Sequence, residues 1–115
     1  MKNMITIDGH RAVLSFDSDI GMIRGEFIGL SGGADFYADN ISQMEEEGRK
    51  SLTLYLEMCR ERNVKPYRRF SGRFNVRIDP RTHEAAVAAA AAEDKSLNEW
   101  VAEAISKSAG EKRRA

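Results

Sequence analysis

Cysteine is almost absent from this 115-residue chain: Cys59 stands alone, so no internal disulfide is possible. It falls in an apolar stripe at helical spacing, where a cysteine acts as a small hydrophobe. No apolar run approaches the ~18 residues that suggest a membrane span. The N-terminal MKNMITIDGHR lacks the basic region, apolar core and cleavage site of a secretory signal. Together these features predict a cytoplasmic protein without membrane association. Net charge is also lacking, since 18 Lys+Arg face 18 Asp+Glu. The neutrality hides an asymmetry: residues 1–63 carry −4 and residues 64–115 carry +4. Two modules with different partners are implied, the basic one suited to a polyanion and the acidic one to a basic protein. With 42% hydrophobic and 31% charged residues the chain is globular.

What is present centres on Arg73–Ile78, RFNVRI. Strand alternation puts Phe74, Val76 and Ile78 on one face and Arg73, Asn75 and Arg77 on the other. Arginine pairs bidentately with guanine and asparagine with adenine in the major groove, so this row has the chemistry of a base reader. The plainer alternative is a solvated edge strand whose charges resist aggregation.

The N-terminal part reads as strands over 4–16 (one or two, with Asp8-Gly9 as a turn), 22–30 and 34–38. A three-stranded antiparallel meander is the economical arrangement. A helix follows, with Asn40 as N-cap and Gln43 three residues on. Ile41, Met44, Leu52, Tyr55 and Cys59 recur at helical spacing and are expected to pack on the sheet. Glu45, Glu46 and Glu47 near its start and Arg60 and Arg62 near its end match the helix dipole. Gly48, which costs about 1 kcal/mol against alanine, suggests close approach to a strand. Residues 64–72 form a linker, basic through Lys65, Arg68 and Arg69, with Tyr67 and Phe70 available to dock.

After the central strand, Asp79-Pro80 starts a helix running to about Glu93. Ser96-Leu97-Asn98-Glu99 opens a second, with Leu97, Trp100, Val101, Ala104 and Ile105 as its apolar stripe. A strand and two helices within roughly 40 residues cannot close a core alone. Two copies pairing through the strand solve the problem. The expectation is a homodimer with a core of Phe74, Val76, Ile78, Leu97, Trp100, Val101 and Ile105. Its two-stranded ribbon shows Arg73, Asn75 and Arg77 twice to the major groove of double-stranded DNA. The start of the second helix, Lys95, Ser96, Leu97 and Asn98, is the expected phosphate contact.

RFNVRIDP, a helix and then SLNEW resemble the ribbon-helix-helix repressors, with a strand pattern like that of the Arc repressor. The resemblance implies the same base-reading and phosphate-contacting positions. Such proteins often have glycine where Asp94 stands. The order GHRAVLSFD, MIRGEFIGL, ADFYADN, SLTLYLEMCRE and FSGRFNVRIDPRTHE is similar to HicB-type antitoxins with a C-terminal ribbon-helix-helix domain. These often carry a larger residue at the position of Gly48. The resemblance implies an α+β chain: a toxin-binding, partial RNase H-like antiparallel sheet with one helix (1–63), a linker (64–72), a dimerising ribbon-helix-helix domain (73–109) and a basic tail (110–115). It also implies two activities, neutralising a HicA-type mRNA-cleaving toxin by binding it and repressing the shared operon. A toxin that grips RNA is basic, which assigns Asp17, Asp19, Glu26 and Asp35 as candidate toxin contacts.

An RNase H-like outline raises the question of nuclease chemistry, which needs several carboxylates on paired metal ions. Asp17 and Asp19 are two residues apart in a turn, and no further acid has a reason to converge on them. His10 and His83 are isolated, and SGG (31–33) is too short for a phosphate loop. The expectation is a non-enzyme with no cofactor and no metal. The main rival is a solitary repressor with a ligand-sensing N-terminal domain.

Overall fold

The computed structural model describes residues 3–110. It divides into two compact units, Met1–Gly72 and Arg73–Ala115. The first holds four strands, β1 (Met4–Ile7), β2 (His10–Asp17), β3 (Met22–Phe27) and β4 (Asp35–Ala38), and one helix, α1 (Ile41–Arg62). The second holds α2 (Pro80–Ala92) and α3 (Leu97–Ser108). The fold is α+β, as expected.

The sheet is an antiparallel meander in the order β1-β2-β3-β4, four strands rather than three. Asp8-Gly9 makes the difference. Ile7 pairs with His10, and the two intervening residues have φ of +48° and +82°. Both central residues of a type I′ turn need positive φ, and this turn matches the twist of the strands it joins. β3 stops at Phe27 rather than reaching Leu30. Gly29, at φ +91°, breaks the ladder, and Leu30 instead forms an isolated bridge to Tyr67.

The core lies between the sheet and α1. Ile7, Ala12, Phe27, Phe36, Met44, Leu52, Tyr55 and Cys59 are all buried there. Each large apolar side chain contributes about 1.5–3 kcal/mol on leaving water. Asn40 caps α1: its side chain accepts from the Gln43 N–H at 3.0 Å. At the other end Asn63 takes φ +56°, and the Val64 N–H donates to the Cys59 carbonyl at 2.8 Å. That 6→1 bond closes the helix in a Schellman-type cap.

Gly48 has a steric explanation. A β-carbon there would meet Ile7 Cδ1 at 2.3 Å and the Phe36 ring at 3.1 Å. The helix runs close over β1 and β4 because residue 48 has no side chain. Ile41 departs from expectation. It stands in the first turn of α1 and is largely exposed rather than packed on the sheet.

Residues 64–68, read from sequence as part of a linker, are bonded to the first unit. The Ser31 N–H donates to the Pro66 carbonyl and the Arg68 N–H to the Gly29 carbonyl, both at 2.8 Å. Tyr67 stacks on His10 with ring centroids 5.6 Å apart. Tyr55 ties the region together. Its hydroxyl accepts from the Gly32 N–H at 2.8 Å, shares a 2.7 Å bond with Ser31 Oγ and donates to the Pro66 carbonyl at 3.3 Å.

In the second unit Pro80 occupies the first turn of α2. Among the described residues of this unit only Ala86 and Ala90 are buried, and α3 buries none. Asp94, in the turn between the helices, has φ +55°. It adopts the left-handed conformation that glycine takes most easily.

Candidate functional site

The segment 73–79 lies between Gly72 at φ +83° and Pro80. It is neither helical nor, in the single chain, part of a ladder. Among the described residues no strand pairs with it, and a strand exists only by pairing. Its apolar side chains are consequently open to water: Phe74 is 70% exposed, Val76 60% and Ile78 48%. They border an apolar groove of about 760 Å³, closed on its other sides by α2 and α3 residues that include Leu97, Trp100, Val101 and Ile105. The stripe expected along α3 therefore faces the same space as the strand residues. Arg73, Asn75 and Arg77 are exposed. Asn75 and Arg77 border a second hollow of about 550 Å³ with His83.

The four residues expected to meet phosphate stand at the start of α3. Ser96 Oγ accepts from the Glu99 N–H at 3.1 Å, so this hydroxyl already serves as the helix cap. The N–H groups of Leu97 and Asn98 belong to the first turn, which has no intrahelical acceptor. An anion there gains from the helix dipole. Lys95 is already engaged. Its ammonium bonds to Glu103 and, at 3.3 Å, to Glu93. The hydrogen bond to Glu103, followed by that to Glu93, raises its pKa above the ordinary 10.5. Glu93 also accepts from Trp100 Nε1 at 2.8 Å. This clamp across the α2–α3 turn escaped the sequence reading. Its signal was present, since Glu103 and Trp100 lie three residues apart on one helix face.

The four acids assigned to toxin contact do not come together. Glu26 and Asp35 are cross-strand partners at one end of β3. Arg24 holds both, with Nη2 at 2.6 Å from Asp35 and 3.0 Å from Glu26. The bond to Asp35 and its charge raise the arginine's pKa further. Asp17, the last residue of β2, and Asp19, in the β2–β3 turn, lie at the opposite end, where Asp17 Oδ1 accepts from the Asp19 N–H at 3.0 Å. Neither has an ion-pair partner among the described residues.

His10 is bonded on both nitrogens, to the Asp8 carbonyl at 2.9 Å and the Tyr67 hydroxyl at 3.2 Å. Cys59 is buried. Among the described residues no three His, Cys, Asp or Glu side chains gather as metal ligands do. No described helix is long and apolar enough to cross a membrane.

Residues 55–105 match the model of the HicB family. The match takes in the later part of α1, the extended segment, α2 and α3 as far as Ile105. No curated protein and no solved structure matches the chain. The match, over a little under half of the chain, supports a HicB-type protein and suggests, at that coarse level, an antitoxin of a toxin–antitoxin system.

Proposed function

We propose that the first unit neutralises a HicA-type mRNA-cleaving toxin by binding it, and that the second represses the chain's own operon as a ribbon-helix-helix dimer. The observation that supports the second half is a strand-length segment outside any ladder, beside an open apolar groove, in a unit whose described residues bury only two alanines. Such a unit lacks the burial to offset its chain entropy. A second copy supplies it. The two segments pair antiparallel, Phe74, Val76 and Ile78 turn onto both grooves, and the N–H and C=O groups of alternate residues gain partners across the ribbon.

Pairing fixes the outward row. Arg73, Asn75 and Arg77 of both copies then face one way, related by a two-fold axis, and the ribbon has the width of the major groove. The Leu97 and Asn98 N–H groups anchor flanking phosphates. Lys95 joins them only by exchanging Glu103 for phosphate. Toxin neutralisation is by occlusion, with the acidic unit covering the RNA-binding surface of a basic toxin. On this reading the chain is not an enzyme.

The test is binding to the inverted repeat upstream of the chain's own gene at fixed salt. Arg77→Ala removes one base contact per subunit, about 1–3 kcal/mol each for a good bidentate pair. Operator affinity falls while toxin neutralisation survives. Unchanged operator affinity removes Arg77 from the base readers, and a monomer in sedimentation at micromolar concentration removes the dimer.

A further inference from the structure

The toxin-neutralising reading leaves open which surface of the first unit the toxin covers. In register, Asp17 pairs with Met22 and Ile23 with Ala38. The β2–β3 turn and the β4–α1 junction therefore leave the sheet at the same end. Three large apolar side chains are open to water there: Phe16 is 69% exposed, Ile20 55% and Ile41 58%. Each would lose less by being covered than by staying wet. Asp17, Asp19 and Asp39 stand beside them in sequence, and none has an ion-pair partner among the described residues. Elsewhere in the unit Asp8, Glu26, Asp35, Glu45, Glu46 and Glu47 are each held by Arg24, Arg49 or Lys50, and the two acids that are not, Glu57 and Glu61, lie on α1 close in sequence to Arg60 and Arg62.

We infer that the basic toxin docks on this end, with Phe16, Ile20 and Ile41 as the apolar centre and Asp17, Asp19 and Asp39 as the charged rim. This rests on the antitoxin reading above and refines its list of contacts: Glu26 and Asp35 leave it, and Asp39 enters. Two other surfaces compete less well. On the sheet face turned from α1, Met4, Val13 and Tyr37 are only partly exposed and the acids are already paired within the chain. On the outer side of α1, Leu54 is well exposed, but Arg49, Lys50 and Glu57 around it are of mixed sign. A positively charged surface gains nothing from meeting them. An interface with an apolar anchor and an unpaired acidic rim binds tightly through the anchor and associates fast through the rim.

The probe is the small basic protein encoded beside this gene, mixed with the full chain. Affinity is measured by calorimetry at two salt concentrations for wild type, Phe16→Ser with Ile41→Ser, Ile20→Ser alone, Leu54→Ser, and Asp17→Asn with Asp19→Asn and Asp39→Asn. Thermal melts check folding, and the turn residue Ile20 keeps the test sound if the double variant unfolds. The expected result is an affinity loss of about 30-fold for the apolar variants. The amide set flattens the salt dependence, and Leu54→Ser behaves as wild type. If wild type binds and the Phe16, Ile20 and Ile41 variants bind equally well, this docking surface is overturned while the antitoxin reading stands. Loss through Leu54→Ser instead overturns it in favour of α1. Failure of wild type to bind overturns both.

Discussion

The ring of Phe36 lies directly over Gly25, its partner on the neighbouring strand, so that a β-carbon at residue 25 would stand 2.2 Å from Phe36 Cζ. The ring is confined on its other side by Gly48 of α1, and two glycines therefore define its slot. Gly25→Ala overpacks a closed space and is expected to cost about 1–3 kcal/mol. Gly48→Ala meets Ile7 and the same ring but gains about 1 kcal/mol in helix propensity, so its loss should be smaller. Urea titrations followed by far-UV circular dichroism compare the two. Equal stability of Gly25→Ala and wild type would show that the ring moves aside freely.

Tyr55 offers a test of the docked stretch 64–68. Tyr55→Phe keeps the buried ring and removes the hydroxyl that serves Gly32, Ser31 and Pro66. Its loss leaves the Gly32 N–H without its acceptor, a cost of about 1 kcal/mol, while Ser31 Oγ keeps the Lys65 carbonyl and the Pro66 carbonyl keeps the Ser31 N–H. Amide exchange at Ser31, Gly32 and Arg68 should quicken. Unchanged exchange there would mean that the backbone bonds alone hold the stretch.

Asp94 sits at φ +55° in the turn joining α2 and α3. Left-handed backbone costs an ordinary residue about 1–2 kcal/mol, and an aspartate somewhat less. We expect Asp94→Gly to stabilise the second unit by a fraction of that amount, because glycine also loses more chain entropy on folding. Trp100 is the single tryptophan and belongs to this unit, so its fluorescence follows the transition. A lower melting temperature for the variant would show that the aspartate stabilises the turn in another way.

The Lys95–Glu103 pair makes the second unit sensitive to alkali. The folded-state pKa of Lys95 lies above 10.5, so its contribution is fully present below that pH and is lost as pH rises through the raised value. Wild type should therefore exceed Glu103→Gln in stability by a steady margin at neutral and mildly alkaline pH. The two should converge above pH 10.5. Parallel curves throughout would mean that the pair contributes nothing the glutamine does not supply.

Val76 occupies the middle of the exposed apolar row of the second unit. Val76→Asp sets a carboxylate where the proposed ribbon would bury a methyl pair. Sedimentation should show the dimer replaced by monomer, and Trp100 emission should move to the red as the groove fills with water. A dimer that survives would place the association elsewhere.

Local chemistry made much of the fold legible. Asn40 and Ser96 cap helices because their side chains reach the third residue on, a relation visible in the string alone. Met44, Leu52, Tyr55 and Cys59 line up at helical period and are buried. The Asp8-Gly9 turn was seen, yet the number of strands was undercounted, because a two-residue turn barely interrupts the alternation. Contacts that depend on register or on distant docking were out of reach. That Arg24 holds both Glu26 and Asp35 follows only once β3 and β4 are paired. That Tyr67 stacks on His10 needs the whole sheet in place. Helical spacing says which side of α1 is apolar, not how far along that side the cover extends, and Ile41 in the first turn lies open.

The border strands β1 and β4 span only four residues each. So brief a margin offers a stray chain little on which to extend a sheet, and the first unit resists growth by accretion. The longer open margin is the segment before α2, and in the proposed dimer a second copy of the same segment, rather than a stray chain, takes one side of it.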